Sequence, residues 1–241
     1  MFGYGPLLQR LTGGFDLSVA IIGGCIALYV VSLLIDPRGL FRMAGMFDIL
    51  APTSSALAVL GMTGSFAMAG GQWWTLLTAV FLHGSLLHLL FNMAITRQYL
   101  PNVVALFGAA RAWVIFFVAG VGGFALSNVA SGVPTIGASG AIFGLLAALI
   151  VYGRRTRQHA IAQQLWISAG VMFLFGFIMP SVNNWAHAGG FAGGFIAAEA
   201  LSFQGRRESR VLLALAWGTA LLTVGAFVFQ IWRIVTVLFL R

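Results

Sequence analysis

Long apolar runs separated by short polar breaks dominate the chain, and each run is of helical length. A membrane helix needs about 20 mostly apolar residues. The first such run is Ser18 to Ile35, closed by Asp36-Pro37-Arg38. No small-residue cleavage site follows it, so it reads as a retained anchor and not a cleaved signal peptide. Gly39 to Gln72 is mixed, rich in Gly, Met and Ser, and reads as a non-spanning loop with short interfacial helices. Trp73 and Trp74 suit a membrane boundary, and the segment after them, to about Leu100, is apolar but interrupted by His83, His88 and Asn92. The remaining runs are Ala112 to Ala130, Ala138 to Gly153, Gln164 to Pro180, Trp185 to Phe203 and Val211 to about Leu240. The pattern predicts an all-α, polytopic membrane bundle of seven spans in one domain.

Composition narrows the class. The 241 residues are 60% hydrophobic and 7% charged, against about 25% charged in ordinary soluble domains. A soluble enzyme and a disordered chain are both excluded. The net charge of +8 does not point to nucleic acid, because the arginines are scattered between apolar runs and form no single patch. They carry topology instead, since cytoplasmic loops collect them. With the N-terminus inside, Arg10, Arg97, Arg111, Arg154, Arg155, Arg157, Arg206, Arg207 and Arg210 all fall on the cytoplasmic side. Arg38, Arg42 and Arg241 fall outside, with Arg233 late in the last span. The expected location is a cell membrane, the plasma or inner membrane of a bacterium. The single Cys25 lies in an apolar run and reads as a small buried hydrophobe.

Polar groups inside spans are expensive and are candidates for function by default. Ser139 lies between Gly137 and Gly140, where the following helix would aim its free N–H groups at a developing oxyanion. The competing reading is an N-cap serine in a small-residue packing motif. His187 heads a helix on which Ala186, Gly190, Gly194 and Ala198 recur every fourth residue, a face suited to close packing. Packing against Gly140 and Gly144 would bring His187 within reach of Ser139; otherwise it is an interfacial histidine bonded to a loop carbonyl. His88 and Asn92 share one helix face and can both donate hydrogen bonds. His83, five residues earlier, reads as shaping or capping the helix start. A metal would explain three histidines, but no acidic or Cys ligand accompanies them. His159 sits in the Arg-rich loop and reads as solvated.

Depth arithmetic brings these groups into one layer. Ser139 is 15 residues before Arg154, about 22 Å of helix against a core of about 30 Å. Taken from Pro101 and Gln204, His88 and His187 lie roughly 10 and 5 Å below the same surface. Glu199, 12 residues beyond His187, is about 18 Å away and cannot orient it. A Ser and a His without a carboxylate make a dyad, and the implied reaction is acyl transfer to water.

Three segments, His83-Gly-Ser-Leu-Leu-His88-Leu-Leu-Phe-Asn92, Gly137-Ala-Ser139-Gly140 and Ala186-His187-Ala-Gly-Gly190, resemble the rhomboid intramembrane serine proteases in content and order. The resemblance covers roughly Trp73 to Phe203 and implies a six-helix core, to which the last span adds one. It implies Ser139 as nucleophile, His187 as general base, and His88, Asn92 and the Ser139 N–H as oxyanion hole. Gly137, Gly140, Phe143, His83, Gly190 and Gly194 are supporting residues, Phe143 matching an aromatic that packs on the imidazole. It implies single-span membrane proteins as substrates within the bilayer, release on the outer side, and no cofactor. Substrate passage is governed in the family by the fifth helix and following loop, here Gln164 to Trp185. The family's Trp-Arg pair is absent, since Thr75 follows Trp74. The alternatives are a catalytically inactive relative that binds membrane clients, and a small transporter whose His and Asn line a polar path.

Overall fold

The computed structural model describes residues 16–41, 45, 48–179, 182–201 and 208–239. Arg10, Arg42, Arg206, Arg207 and Arg241 lie outside the described residues. Helix α1 (Leu17–Ile35) is N-capped by Asp16, whose carboxylate accepts from the N–H of Ser18 and Val19; Pro37 then opens a 3-10 turn to Phe41. The loop that follows holds the short helices α2 (Ser54–Val59), α3 (Ser65–Ala69) and α4 (Thr75–Thr78), the last continuing into a 3-10 turn over Ala79–Phe81. Then come α5 (Leu86–Phe107), α6 (Ala109–Ala130), α7 (Ser139–Arg155), α8 (His159–Ile178), α9 (Asn184–Ala200) and α10 (Arg210–Phe239).

The chain is a multi-pass membrane protein. Helices α1, α6, α8 and α10 are each long and apolar enough to cross a bilayer. Helices α7 and α9 have 17 residues each, about 25 Å of helix, short of the ~30 Å core. For α7 this matches the expectation from the Ser139 to Arg154 interval.

One span departs from the expected outline. The segment from Trp73 does not run straight into the second span: Thr75–Phe81 and Leu86–Phe107 meet at 90°. The Ser85 hydroxyl accepts from the His88 N–H and starts α5 there, so Ser85 and not His83 caps the helix. Helix α5 also runs through Pro101 to Phe107, so depths counted from Pro101 use too short a helix. Similarly, α8 begins at His159, five residues before the expected Gln164, and α9 ends at Ala200.

Helix α7 occupies the centre, with almost every side chain from Gly140 to Val151 buried. Glycine makes its contacts with α9 possible. A Cβ on Gly190 would fall 2.1 Å from the Gly140 carbonyl oxygen, and one on Gly194 would fall 2.2 Å from the Gly144 Cα. A second glycine face on α9, offset by one residue, meets α6: a Cβ on Gly189 would lie 2.6 Å from the Gly122 carbonyl oxygen. With no hydrophobic drive between helices in lipid, such backbone approach supplies the packing. At the far end of this stack Arg155 on α7 pairs with Glu199 on α9.

Candidate active site

Ser139 is the first residue of α7, and its cap, Ala138, makes no side-chain bond to the helix. The capping reading of Ser139 therefore falls. Its hydroxyl instead faces α9, with Ser139 Oγ 2.9 Å from His187 Nε2. The Gly140–Gly190 approach sets this distance, because it holds the two helix starts at backbone contact. His187 is buried and Phe143, one turn along α7, stacks on its ring at 4.5 Å and 24°.

Helix α5 closes the third side. His88 Nδ1 accepts from the Gly84 N–H at 3.3 Å, which leaves Nε2 carrying the hydrogen of the neutral ring. That nitrogen lies against Gly137, where a Cβ would come within 2.8 Å of it. Gly137 has φ +118 and its N–H donates to the Ala79 carbonyl at 2.9 Å, so no side chain stands between His88 and the start of α7. Asn92 is buried, with Nδ2 donating to the His88 carbonyl at 2.8 Å and a second N–H left over. The first N–H groups of α7 have no intrahelical acceptor. The His88 Nε2–H thus lies beside the start of α7, where the Ser139 hydroxyl has an imidazole as partner. Such an arrangement can hold an oxyanion beside an activated serine.

The other candidates fall as follows. His83 is fully buried, its ring 5.1 Å from that of His88; it lies behind the site and not at the surface. His159 is exposed at the start of α8. Glu199 is engaged with Arg155, as expected of a residue too distant to serve His187. One residue has no part in the sequence reading: Asn184, whose Oδ1 is 3.2 Å from His187 Nδ1. Its signal in the sequence is a polar residue one helical turn before the histidine.

The segment before Ser139 is held from the other side. Thr63 and Thr135 form an antiparallel bridge, and Asn183 Nδ2 donates to Ser127, Thr135 and Ser131.

A family model described as the Rhomboid domain matches residues 70–203. The chain belongs to the rhomboid family. Rhomboid protease GluP of Bacillus subtilis is 36% identical over 175 residues, 68% of this chain and 34% of that protein. RHOMBOID-like protein 7 of Arabidopsis thaliana is 35% identical over 160 residues, covering 61% of this chain and 49% of that protein. The putative rhomboid protease YdcA of Bacillus subtilis is 28% identical over 141 residues, 55% of this chain and 69% of that protein. The chain thus spans about a third of the first relative and half of the second. Helices α1 and α10 lie outside the rhomboid match, whereas Ser139, His187, His88 and Asn92 lie within it.

Proposed function

We propose that this rhomboid is an intramembrane serine endopeptidase that cuts single-span membrane proteins. The observation that carries the reading is the 2.9 Å contact between Ser139 Oγ and His187 Nε2. His187 Nε2 takes the hydroxyl proton as Oγ attacks the scissile carbonyl carbon. The oxyanion is held by His88 Nε2–H, the free Asn92 N–H and the Ser139 backbone N–H. The intermediate collapses as His187 returns the proton to the leaving amine, and water then hydrolyses the acyl-enzyme by the same route. Phe143 covers the imidazole face.

The concentration of arginine near the end of α7 and start of α8 supports a cytoplasmic placement of that end, with Ser139 opening to the outer side. The partners are then the transmembrane substrate and the lipid bilayer. The loose outer packing of α8 supports it as the side of substrate passage. An inactive client binder has less in its favour, because both partners of the dyad are present at hydrogen-bonding distance.

Purified protein in detergent is expected to cleave a model single-span substrate, and Ser139→Ala and His187→Ala to abolish cleavage with unchanged thermal unfolding. Equal cleavage by Ser139→Ala would overturn the proposal.

A further inference from the structure

We infer that Asn184 is a third member of the site, a positioning residue that fixes the tautomer of His187 and ties it to α8. The inference rests on the protease reading above. Asn184 opens α9, one turn before His187, and its Oδ1 lies 3.2 Å from His187 Nδ1. An amide oxygen only accepts, so the hydrogen of the neutral ring sits on Nδ1. Nε2 is thereby left with its lone pair towards Ser139 Oγ, the form a general base needs. The opposite tautomer would set two lone pairs against each other at Nδ1 and Oδ1. A carboxylate normally fills this orienting place, and an asparagine does so in some cysteine proteases.

Asn184 is itself held by α8. A Cβ on Gly176 would fall 2.1 Å from Asn184 Oδ1 and 2.9 Å from its Cγ. The carboxamide therefore occupies the space that a side chain on residue 176 would take, and the bare backbone of α8 is the wall behind it. The end of α8 has few other holds, since Leu174, Phe175, Phe177 and Ile178 are all exposed. Without α8 in this place the wall is gone, and the carboxamide is free to leave Nδ1. The base is thus set while α8 is docked on α9, which couples the helix at the side of the site to the proton transfer at its centre.

Kinetics of the full chain in detergent across pH test this, using Asn184→Ala, Asn184→Asp, Gly176→Ala and the double variant Gly176→Ala/Asn184→Ala. Asn184→Ala is expected to lower kcat about tenfold, the rate equivalent of one hydrogen bond, with KM unchanged. Asn184→Asp restores kcat at neutral pH and moves the acidic limb of kcat/KM upward, because a carboxylate favours the imidazolium. The titratable group facing His187 from the neighbouring elements is His88 on α5, which is the same in every variant. Gly176→Ala reproduces the loss of Asn184→Ala, and the double variant loses no more than either single one. Wild-type kcat in Asn184→Ala, an unmoved limb in Asn184→Asp, or multiplicative losses in the double variant each overturn the inference. Asn184→Asp keeps the acceptor and the shape, so it decides the matter even where a truncation unfolds. Those results presuppose an active, Ser139-dependent enzyme; a wild type that does not cleave, or Ser139→Ala that does, defeats the protease reading instead.

Discussion

Gly190 of α9 rests directly on Gly140 of α7, so close that a Cβ at Gly190 would fall 2.1 Å from the Gly140 carbonyl oxygen. Each glycine is three or fewer residues from one member of the Ser139–His187 pair, so the helix contact and the dyad distance are one geometric fact. Gly190→Ala must push the helices apart. The expected cost is about 1–3 kcal/mol of stability, as for overpacking a core, with cleavage reduced on the order of a hundredfold by a misplacement of ~1 Å at the reacting atoms. Thermal unfolding and initial rates on the same preparation check both.

Gly137 separates two kinds of glycine requirement. Its φ of +118 disfavours any side chain, and a Cβ there would also meet the His88 ring at 2.8 Å. Gly71 has φ +70 but nothing within 4 Å of its Cβ position. Both alanine variants are expected to lose about 1–3 kcal/mol through backbone strain. Only Gly137→Ala is expected to lower kcat, by displacing His88. An unchanged kcat for Gly137→Ala would count against His88 as an oxyanion donor.

The hydrogen bonds that fasten helix α10 to the loop before the core converge on Gln230. Gln230 donates to the carbonyls of Ala58 and Val59 at 3.1 and 3.0 Å and accepts from Trp74 Nε1 at 2.8 Å. Trp74 also packs edge-on against Phe229 at 4.7 Å. Trp74 is thus anchored on α10 within the protein. Gln230→Leu keeps the bulk and removes three bonds, so a loss of about 2–3 kcal/mol is expected. Denaturation midpoints of the two proteins test it, and equal midpoints would show that the three Gln230 bonds add nothing to the hold on α10.

Asp36, just past the end of α1, accepts from the Arg38 guanidinium at 2.7 and 2.8 Å and from the Thr53 hydroxyl at 2.8 Å. The Arg38 bonds, then the Thr53 bond, hold its carboxyl well below the usual carboxylate range. A depressed folded value means that the contribution is complete above the unfolded value, about pH 4, and fades as pH falls towards the folded one. Asp36→Asn should therefore unfold at a lower temperature than wild type at pH 7. The gap should narrow on acidification and in high salt, because the group is exposed and screened.

Much of this was legible in the sequence because membrane helices obey two strong rules: apolar runs of fixed length, and a cost for every polar group within them. The structure has long helices at all seven expected runs, and the small-residue face expected on α9 meets Gly140 and Gly144 of α7. What escaped has physical reasons. The right-angle turn before α5 is written in Gly84-Ser85, a short capping signal inside a run whose average hydropathy looks continuous. The second glycine face of α9, through Gly189, is visible only when two neighbours are known. The partners Gln230–Trp74 and Asn184–Gly176 bring together residues from different helices, which no periodicity reports.

The central claim is that Ser139 is a nucleophile activated by His187, and labelling by a serine-directed fluorophosphonate followed by intact-mass measurement tests it most directly. Wild type is expected to gain one adduct at Ser139, His187→Ala to label far more slowly, and Ser139→Ala not to label at all. Equal labelling of wild type and Ser139→Ala, or an undiminished rate in His187→Ala, would contradict the account.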